Sequence, residues 1–271
     1  MHLQVLENFP PWTLYLLAGL MGAVLGSFAG VCIWRMPRDE SVVWPPSHCP
    51  ACGRRLSWWE NIPLVSYAIL RARCRTCRAW ISPRYPIVEL AMVLLSLFAW
   101  WHFQEPLRYL VYLCLFILPM LIVTGIDLYH CIIPDSITIP GIAAGFIVKL
   151  LLDGGEPACL WRAVDSLAGI VVGGGALYLV ALAYEKIRRQ EGLGGGDVKL
   201  IAMIGAFFGW KAALLALFIA SFLGSFVGLI VVIALRKDLK YAIPFGPFLA
   251  TAGVVYLFFG DRLIAWYARF F

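Results

Sequence analysis

The chain has 271 residues, 62% of them hydrophobic and only 14% charged, with a formal net charge of +6. An ordinary soluble domain is roughly 45–50% apolar and 25% charged. The composition therefore excludes a water-dissolved globular enzyme and makes the lipid bilayer the expected solvent.

A hydrocarbon core about 30 Å thick takes about 20 apolar residues per helix. The first such run covers 12–34. Nothing before Arg35 is Lys or Arg, so the basic region of a cleavable signal is missing and the run is expected to stay as a helix. Gly22, Gly26 and Gly30 fall on one face of it, a spacing that lets helix backbones approach closely in lipid. Further runs follow at 87–103, 108–127, 136–152, 163–184, 198–209, 212–235 and 247–266. Leu200 to Leu235 holds one charge, Lys211, but as one helix would reach about 54 Å at 1.5 Å per residue. Gly209-Trp210-Lys211 is accordingly the expected turn. The fold class is thus an all-α polytopic membrane protein of about eight transmembrane helices.

Placing the loop after the first helix in the cytoplasm puts sixteen of the 22 Lys and Arg residues inside, as the positive-inside bias requires. Both termini then lie outside, in the periplasm of a bacterial inner membrane. The net charge follows from topology, and no nucleic-acid partner is expected. The chain divides into a first helix (1–34), a cytoplasmic loop domain (35–86) and a seven-helix region (87–271).

The loop carries Cys49-x-x-Cys52 and Cys74-x-x-Cys77, two pairs separated by twenty-one residues. Each pair offers two thiolates from one tight turn, and four thiolates close a tetrahedral structural zinc site. Two disulfides are the alternative, disfavoured in a reducing cytoplasm. A small arginine-rich loop has little core, so metal would supply folding energy. Cys32, Cys114, Cys131 and Cys159 read as small buried hydrophobes.

Ionisable groups inside a membrane mark function by default. Asp135, after Pro134, begins an apolar run and reads equally as a helix cap or a functional group. Asp165 reads as a helix-start residue. Asp127 ends the third run. Asp197 closes Gly192-Leu-Gly194-Gly-Gly196-Asp197, a segment too rich in glycine for a stable helix. The expected result is a recessed glycine turn bearing an aspartate on the same side as Asp127. Two aspartates can hydrolyse a peptide by sharing one proton, and no Ser or Cys triad competes. By helix ends alone, Asp127 sits at a C-terminus and Asp197 before an N-terminus, which makes Asp197 the expected base. A proton- or metal-coupled transporter using the pair as a relay is the alternative.

These residues resemble the type IV prepilin peptidases along nearly the whole chain. The likeness is carried by Gly26-Ser-Phe-Ala-Gly30 through Pro37, the tetracysteine loop, Ile81-Ser-Pro83-Arg84-Tyr85-Pro86 with Glu89, Ile126-Asp127 with Ile133-Pro134-Asp135, and Gly194-Gly-Gly196-Asp197-Val-Lys199. The resemblance implies a catalytic pair at Asp127 and Asp197, within an active-site loop set of Gly194, Gly196, Lys199, Pro134 and Asp135. It implies prepilin or pseudopilin substrates cut after a basic leader at the cytoplasmic face. It also implies S-adenosylmethionine as methyl donor for the new N-terminus. Arg84, Tyr85 and Glu89 are the candidates for that transfer, although Glu89 also reads as a helix-start charge. One departure stands out: the family usually has Asn where this chain has Gly30.

Overall fold

The computed structural model describes residues 10–152, 159–188, 194–235 and 243–269. Ten α-helices follow one another: α1 (Pro11–Arg35), α2 (Val65–Ile69), α3 (Arg84–Phe103), α4 (Pro106–Tyr112), α5 (Leu118–His130), α6 (Asp135–Leu152), α7 (Cys159–Arg188), α8 (Gly195–Phe208), α9 (Trp210–Leu235) and α10 (Gly246–Tyr267). Among the described residues the only extended pairing is two isolated bridges in the cysteine loop. The chain packs as two compact units, Met1–Cys114 and Leu115–Phe271. The all-helical expectation holds.

In the first unit α1 lies along α3. The expected glycine face makes this contact: a Cβ on Gly22 would come within 2.7 Å of the Ser96 Cβ, and one on Gly26 within 2.7 Å of the Glu89 Cα. Ser96 donates to the Ala18 carbonyl at 2.7 Å and meets the Tyr109 hydroxyl at 2.8 Å, so its buried oxygen is satisfied. Trp12, Leu16, Leu20, Val24 and Phe28 of α1 stay exposed, as a lipid-facing stripe does.

Between α4 and α5 the helix widens to a π turn at Leu113–Ile117. Pro119, at the start of α5, has no N–H for the carbonyl four residues earlier, and a π turn accommodates that missing bond.

Among the described residues seven helices are long and apolar enough to cross a bilayer, whereas the sequence suggested about eight. The sixth apolar run is the exception. It forms α8, 14 residues and about 21 Å long, which is short of the hydrocarbon core. α8 packs against α6, α7, α9 and α10, and every residue from Leu200 to Phe207 is buried. Protein rather than lipid surrounds it, so its length need not match the bilayer. Small residues permit this: a Cβ on Gly169 of α7 would strike the Gly205 backbone of α8, and Ala212, Ala213, Ala216 and Ala220 of α9 are fully buried. Gly209 takes φ +90°, a left-handed value, at the expected turn into α9. Beyond it, Phe218, Phe222, Phe226, Leu229 and Ile233 form an exposed stripe along α9.

Candidate active site and metal centre

Helix α8 begins at Gly195, with Gly194 as its cap residue, so Gly195 and Gly196 form its first turn. The sequence led to the opposite expectation of a non-helical turn up to Asp197. Tertiary packing explains the difference: a Cβ on Gly196 would lie 2.7 Å from the Ile133 Cβ, so the contact with the segment entering α6 needs a glycine in helical backbone. Gly192 lies outside the described residues. Asp197 therefore sits in the first turn of α8 and is buried at 9% exposure.

Asp127, 5% exposed, sits near the end of α5. Its Oδ2 accepts the backbone N–H of Gly246 at 2.9 Å. Gly246 is the first residue of α10, so Asp127 lies at that helix's positive end. The helix-end expectation, which gave such support to Asp197 alone, is thus revised: both aspartates lie at a helix N-terminus. Ile133 joins the parts, its side chain bordering Gly196 on one side and Gly246 on the other. Asp197 feels the charge of Asp127 directly. The Asp197 Oδ1 is buried and has no hydrogen-bond partner among the described residues. A buried oxygen of this kind is rare in a folded protein and marks a place where a reacting group or water belongs.

Pro134 precedes α6, and Asp135 begins it. Asp135 takes Lys199 of α8 in a two-pronged pair at 2.6 and 2.7 Å. The pair is substantially exposed and ties the first turns of the two helices together. The element that sequence reasoning missed is Phe245-Gly246-Pro247. A Gly-Pro helix start entering the last apolar run was the available signal. Asp165, expected as a helix-start residue, pairs with Lys149 at 3.2 Å at the other end of α8 and abuts Gly209.

In the first unit the four cysteine Sγ atoms lie within 4.8 Å of one another, with Cys49 and Cys77 3.8 Å apart. Zinc–sulfur bonds of about 2.3 Å in a tetrahedron put thiolates about 3.8 Å apart. Each pair sits on the same kind of turn. The Gly53 N–H returns to the Cys49 carbonyl at 2.9 Å, and the Arg78 N–H to the Cys74 carbonyl at 3.0 Å. Gly53 at φ +69° and Arg78 at φ +56° are both left-handed, one residue after each pair. All four cysteines are free thiols, so the disulfide alternative is not taken up. Of the remaining cysteines only Cys32 is buried, and Cys131 and Cys159 are exposed, against expectation.

Beside this centre Arg54 grips Glu60 through both carboxylate oxygens, at 2.6 and 3.0 Å, and the Ser57 N–H donates to Glu60 at 2.8 Å. The guanidinium holds the Glu60 carboxyl well down, from 4.5 to about 2. Its contribution to stability is therefore complete above about pH 4.5 and is lost as pH falls toward 2.

A cavity of about 200 Å³ opens where the loop meets the ends of α1 and α3. Tyr85 and Glu89 line it, together with Gly30 and Trp34; Arg84, grouped with Tyr85 and Glu89 from the sequence, is not among its lining residues. Glu89 accepts the Leu64 N–H at 2.7 Å.

Comparison with known proteins adds a second line of observation. Residues 20–103 match the bacterial peptidase A24 N-terminal domain, and residues 114–229 match the type IV leader peptidase family. A protein of Stutzerimonas stutzeri is 36% identical over 96% of each chain. One of Pseudomonas aeruginosa is 34% identical over 93% of this chain and 92% of its own, and one of Legionella pneumophila 34% identical over 95% of each. Each is named a prepilin leader peptidase/N-methyltransferase. No solved structure matches the chain.

Proposed function

This chain belongs to the type IV leader peptidase family, and from that premise we propose that Asp127 and Asp197 are the catalytic pair of a membrane aspartyl endopeptidase acting on prepilins or pseudopilins. The observation that carries this reading is two buried carboxylates joined through Ile133, one fixed by the Gly246 amide and the other keeping a buried oxygen uncommitted. Between them the pair holds one proton. One carboxylate takes a proton from the attacking water as its oxygen bonds to the scissile carbonyl carbon. The other gives its proton to the carbonyl oxygen. On collapse that hydroxyl returns its proton to the same carboxylate as C=O re-forms, the C–N bond breaks, and the first carboxylate passes its proton to the departing nitrogen, so the pair again holds one proton. The low exposure of both side chains limits bulk water at the site. Gly194, Gly196, Pro134, Asp135 and Lys199 support the pair by fixing the starts of α6 and α8.

The enzyme is also an N-methyltransferase, with S-adenosylmethionine as the proposed donor. When bound, that donor supplies a methyl carbon: the substrate amine's lone pair forms the N–C bond, the C–S pair passes to sulfur, and the amine releases a proton. Arg84, Tyr85 and Glu89 are the residues we assign to this reaction, in association with the loop domain 35–86. Cys49, Cys52, Cys74 and Cys77 would hold zinc, which cross-links the loop and offers no open position for catalysis. The protein is a multi-pass membrane protein. The Lys and Arg distribution supports an inner-membrane orientation with the loop cytoplasmic and both termini periplasmic, an even number of passes in which the protein-sheathed α8 counts as the eighth. The relay alternative has no support in the names of the relatives above.

The test is incubation of detergent-purified protein with a prepilin, followed by mass spectrometry of the product. Loss of the leader followed by methylation of the new N-terminus is expected. An intact leader under conditions where the protein is folded would overturn the reading.

A further inference from the structure

We propose that the cavity at the junction of α1, α3 and the cysteine loop binds the sulfonium end of the methyl donor, with Glu89 as its counter-charge and Gly30 as the residue whose missing side chain admits it. The proposal rests on the methyl-transfer reading above and locates it.

Three observations carry it. The first is the state of the charged groups in the cavity wall. Arg35 spends its guanidinium on the Ser41 and Pro45 carbonyls, at 2.9 and 2.7 Å. Arg54 and Glu60 satisfy each other. Glu40, at the cavity's edge, is exposed to solvent. Glu89 is different: it is half-buried, accepts the Leu64 N–H and a hydrogen bond from Ser27, and has no ion pair among the described residues. A carboxylate removed from water without a cation calls for one. The second observation is the aromatic lining: the Trp34 ring already carries the Arg38 guanidinium at 3.8 Å, and Tyr67 and Tyr85 add rings of the kind that attract an organic cation. An acid among aromatic rings suits a sulfonium, whose charge carries no hydrogen-bonding proton, better than it suits a phosphate or a carboxylate.

The third is the space at Gly30. A Cβ there would meet the Tyr85 ring at 3.4 Å, an ordinary contact, so a larger side chain must grow past the ring into the cavity. Glycine at this position leaves that space open. The departure at Gly30 therefore enlarges a wall of the site instead of removing a catalytic group. At about 200 Å³ the cavity is smaller than the roughly 300–1,000 Å³ of sites that enclose a whole drug-sized ligand. It accordingly takes the sulfonium end and not the entire donor. Cys49 and Cys74 line the same cavity, so the metal centre builds part of its wall.

Isothermal titration of the full-length protein in detergent, with S-adenosylmethionine and separately with the neutral thioether S-adenosylhomocysteine, tests this. Wild type should bind both and prefer the sulfonium. Glu89→Gln, of the same shape, should remove about tenfold of that preference while leaving thioether affinity nearly unchanged, the scale of one charge-assisted contact. Gly30→Leu should weaken both ligands. Leader removal, the work of the aspartate pair, monitors folding of each variant. An unchanged sulfonium-to-thioether ratio in Glu89→Gln overturns the proposal, whether or not Gly30→Leu folds. Wild-type affinity for both ligands in folded Gly30→Leu overturns it too. A wild type that methylates but passes either of these results leaves the enzyme assignment standing and places the donor elsewhere, with the cavity open to the substrate amine; a wild type that neither cleaves nor methylates overturns the assignment itself.

Discussion

The two units of this protein fix their functional groups by different physical means. In the second unit, α8 is enclosed by helices, and its aspartate is placed by the backbone contact of Gly169 with Gly205 and by Gly196 against the Ile133 side chain. Few polar bonds take part, and the Gly246 amide on Asp127 is the decisive one. In the first unit the loop has little apolar core, since of its larger side chains Val43, Trp44, Trp58 and Trp80 are exposed. Its shape rests on the four clustered cysteines with their backbone-closed turns, the Arg54–Glu60 pair, and the Arg35 bonds to loop carbonyls. Within lipid, precision comes from small residues that let helices touch. A short water-facing loop needs cross-links, because burial cannot offset its conformational entropy.

The widest separation of the two regions should come from the aspartates. Asp127→Asn and Asp197→Asn should each lower leader removal by about 10³-fold or more, while methylation of already cleaved pilin persists. Single-turnover cleavage followed by mass spectrometry checks the first part, and labelled methyl incorporation the second. Equal loss of both reactions would mean that the regions act as one.

Stripping the metal should have the reverse effect. Purified protein is expected to carry about one zinc per chain. Replacing Cys49 and Cys52 with serine should release it, expose the loop to protease and abolish methyl transfer, with leader removal reduced far less. Metal analysis and limited proteolysis decide the point; a protease-resistant loop without metal would show that polar contacts suffice.

A smaller effect should follow at Gly246. A Cβ there would lie 2.6 Å from the Asp127 Oδ2 and 3.0 Å from the Ile133 Cδ1, so α10 or the aspartate must shift. Gly246→Ala should cut the cleavage rate constant by about 10- to 100-fold with KM nearly unchanged, because misplacement of a catalytic group by a fraction of an ångström acts on the transition state. Normal turnover would remove the start of α10 from the site.

The smallest effect is expected from the exposed Lys199–Asp135 pair, worth about 0.2–1 kcal/mol. Lys199→Asp should slow cleavage by about fivefold or less at low salt. Combining it with Asp135→Lys should restore most of the rate if the pair acts by tying α6 to α8. Failure of the double swap to rescue would assign Lys199 a direct contact with substrate.

Much of the chemistry was legible in the residues because it is local. A C-x-x-C turn holds its two thiolates within four residues, and each knuckle in the structure is closed by its own backbone bond. Aspartates at the ends of apolar runs are equally local signals, since charge in lipid is rare. Gly22 and Gly26 marked the close-approach face of α1 for the same reason, since a face on one helix is set by sequence spacing, while the partner α3 came only from the structure. The remainder depended on partners distant in the chain. Glycine propensity argued against a helix at Gly195 and Gly196, and the contact with Ile133 outweighed it. The helix-end argument placed only Asp197 at a favourable dipole, because nothing in the residues around Asp127 announces an amide 119 positions away. The sixth apolar run looked like a lipid-facing helix because hydropathy cannot tell burial in lipid from burial in protein. The sequence by itself determined that the chain crosses lipid, that four cysteines pair up in one loop, and that two aspartates end apolar runs. Only the tertiary structure decided that α8 is sheathed in protein, that α10 supplies a backbone partner to Asp127, and that a cavity lies beside Gly30. Those outcomes depend on packing between distant helices, which no local pattern encodes.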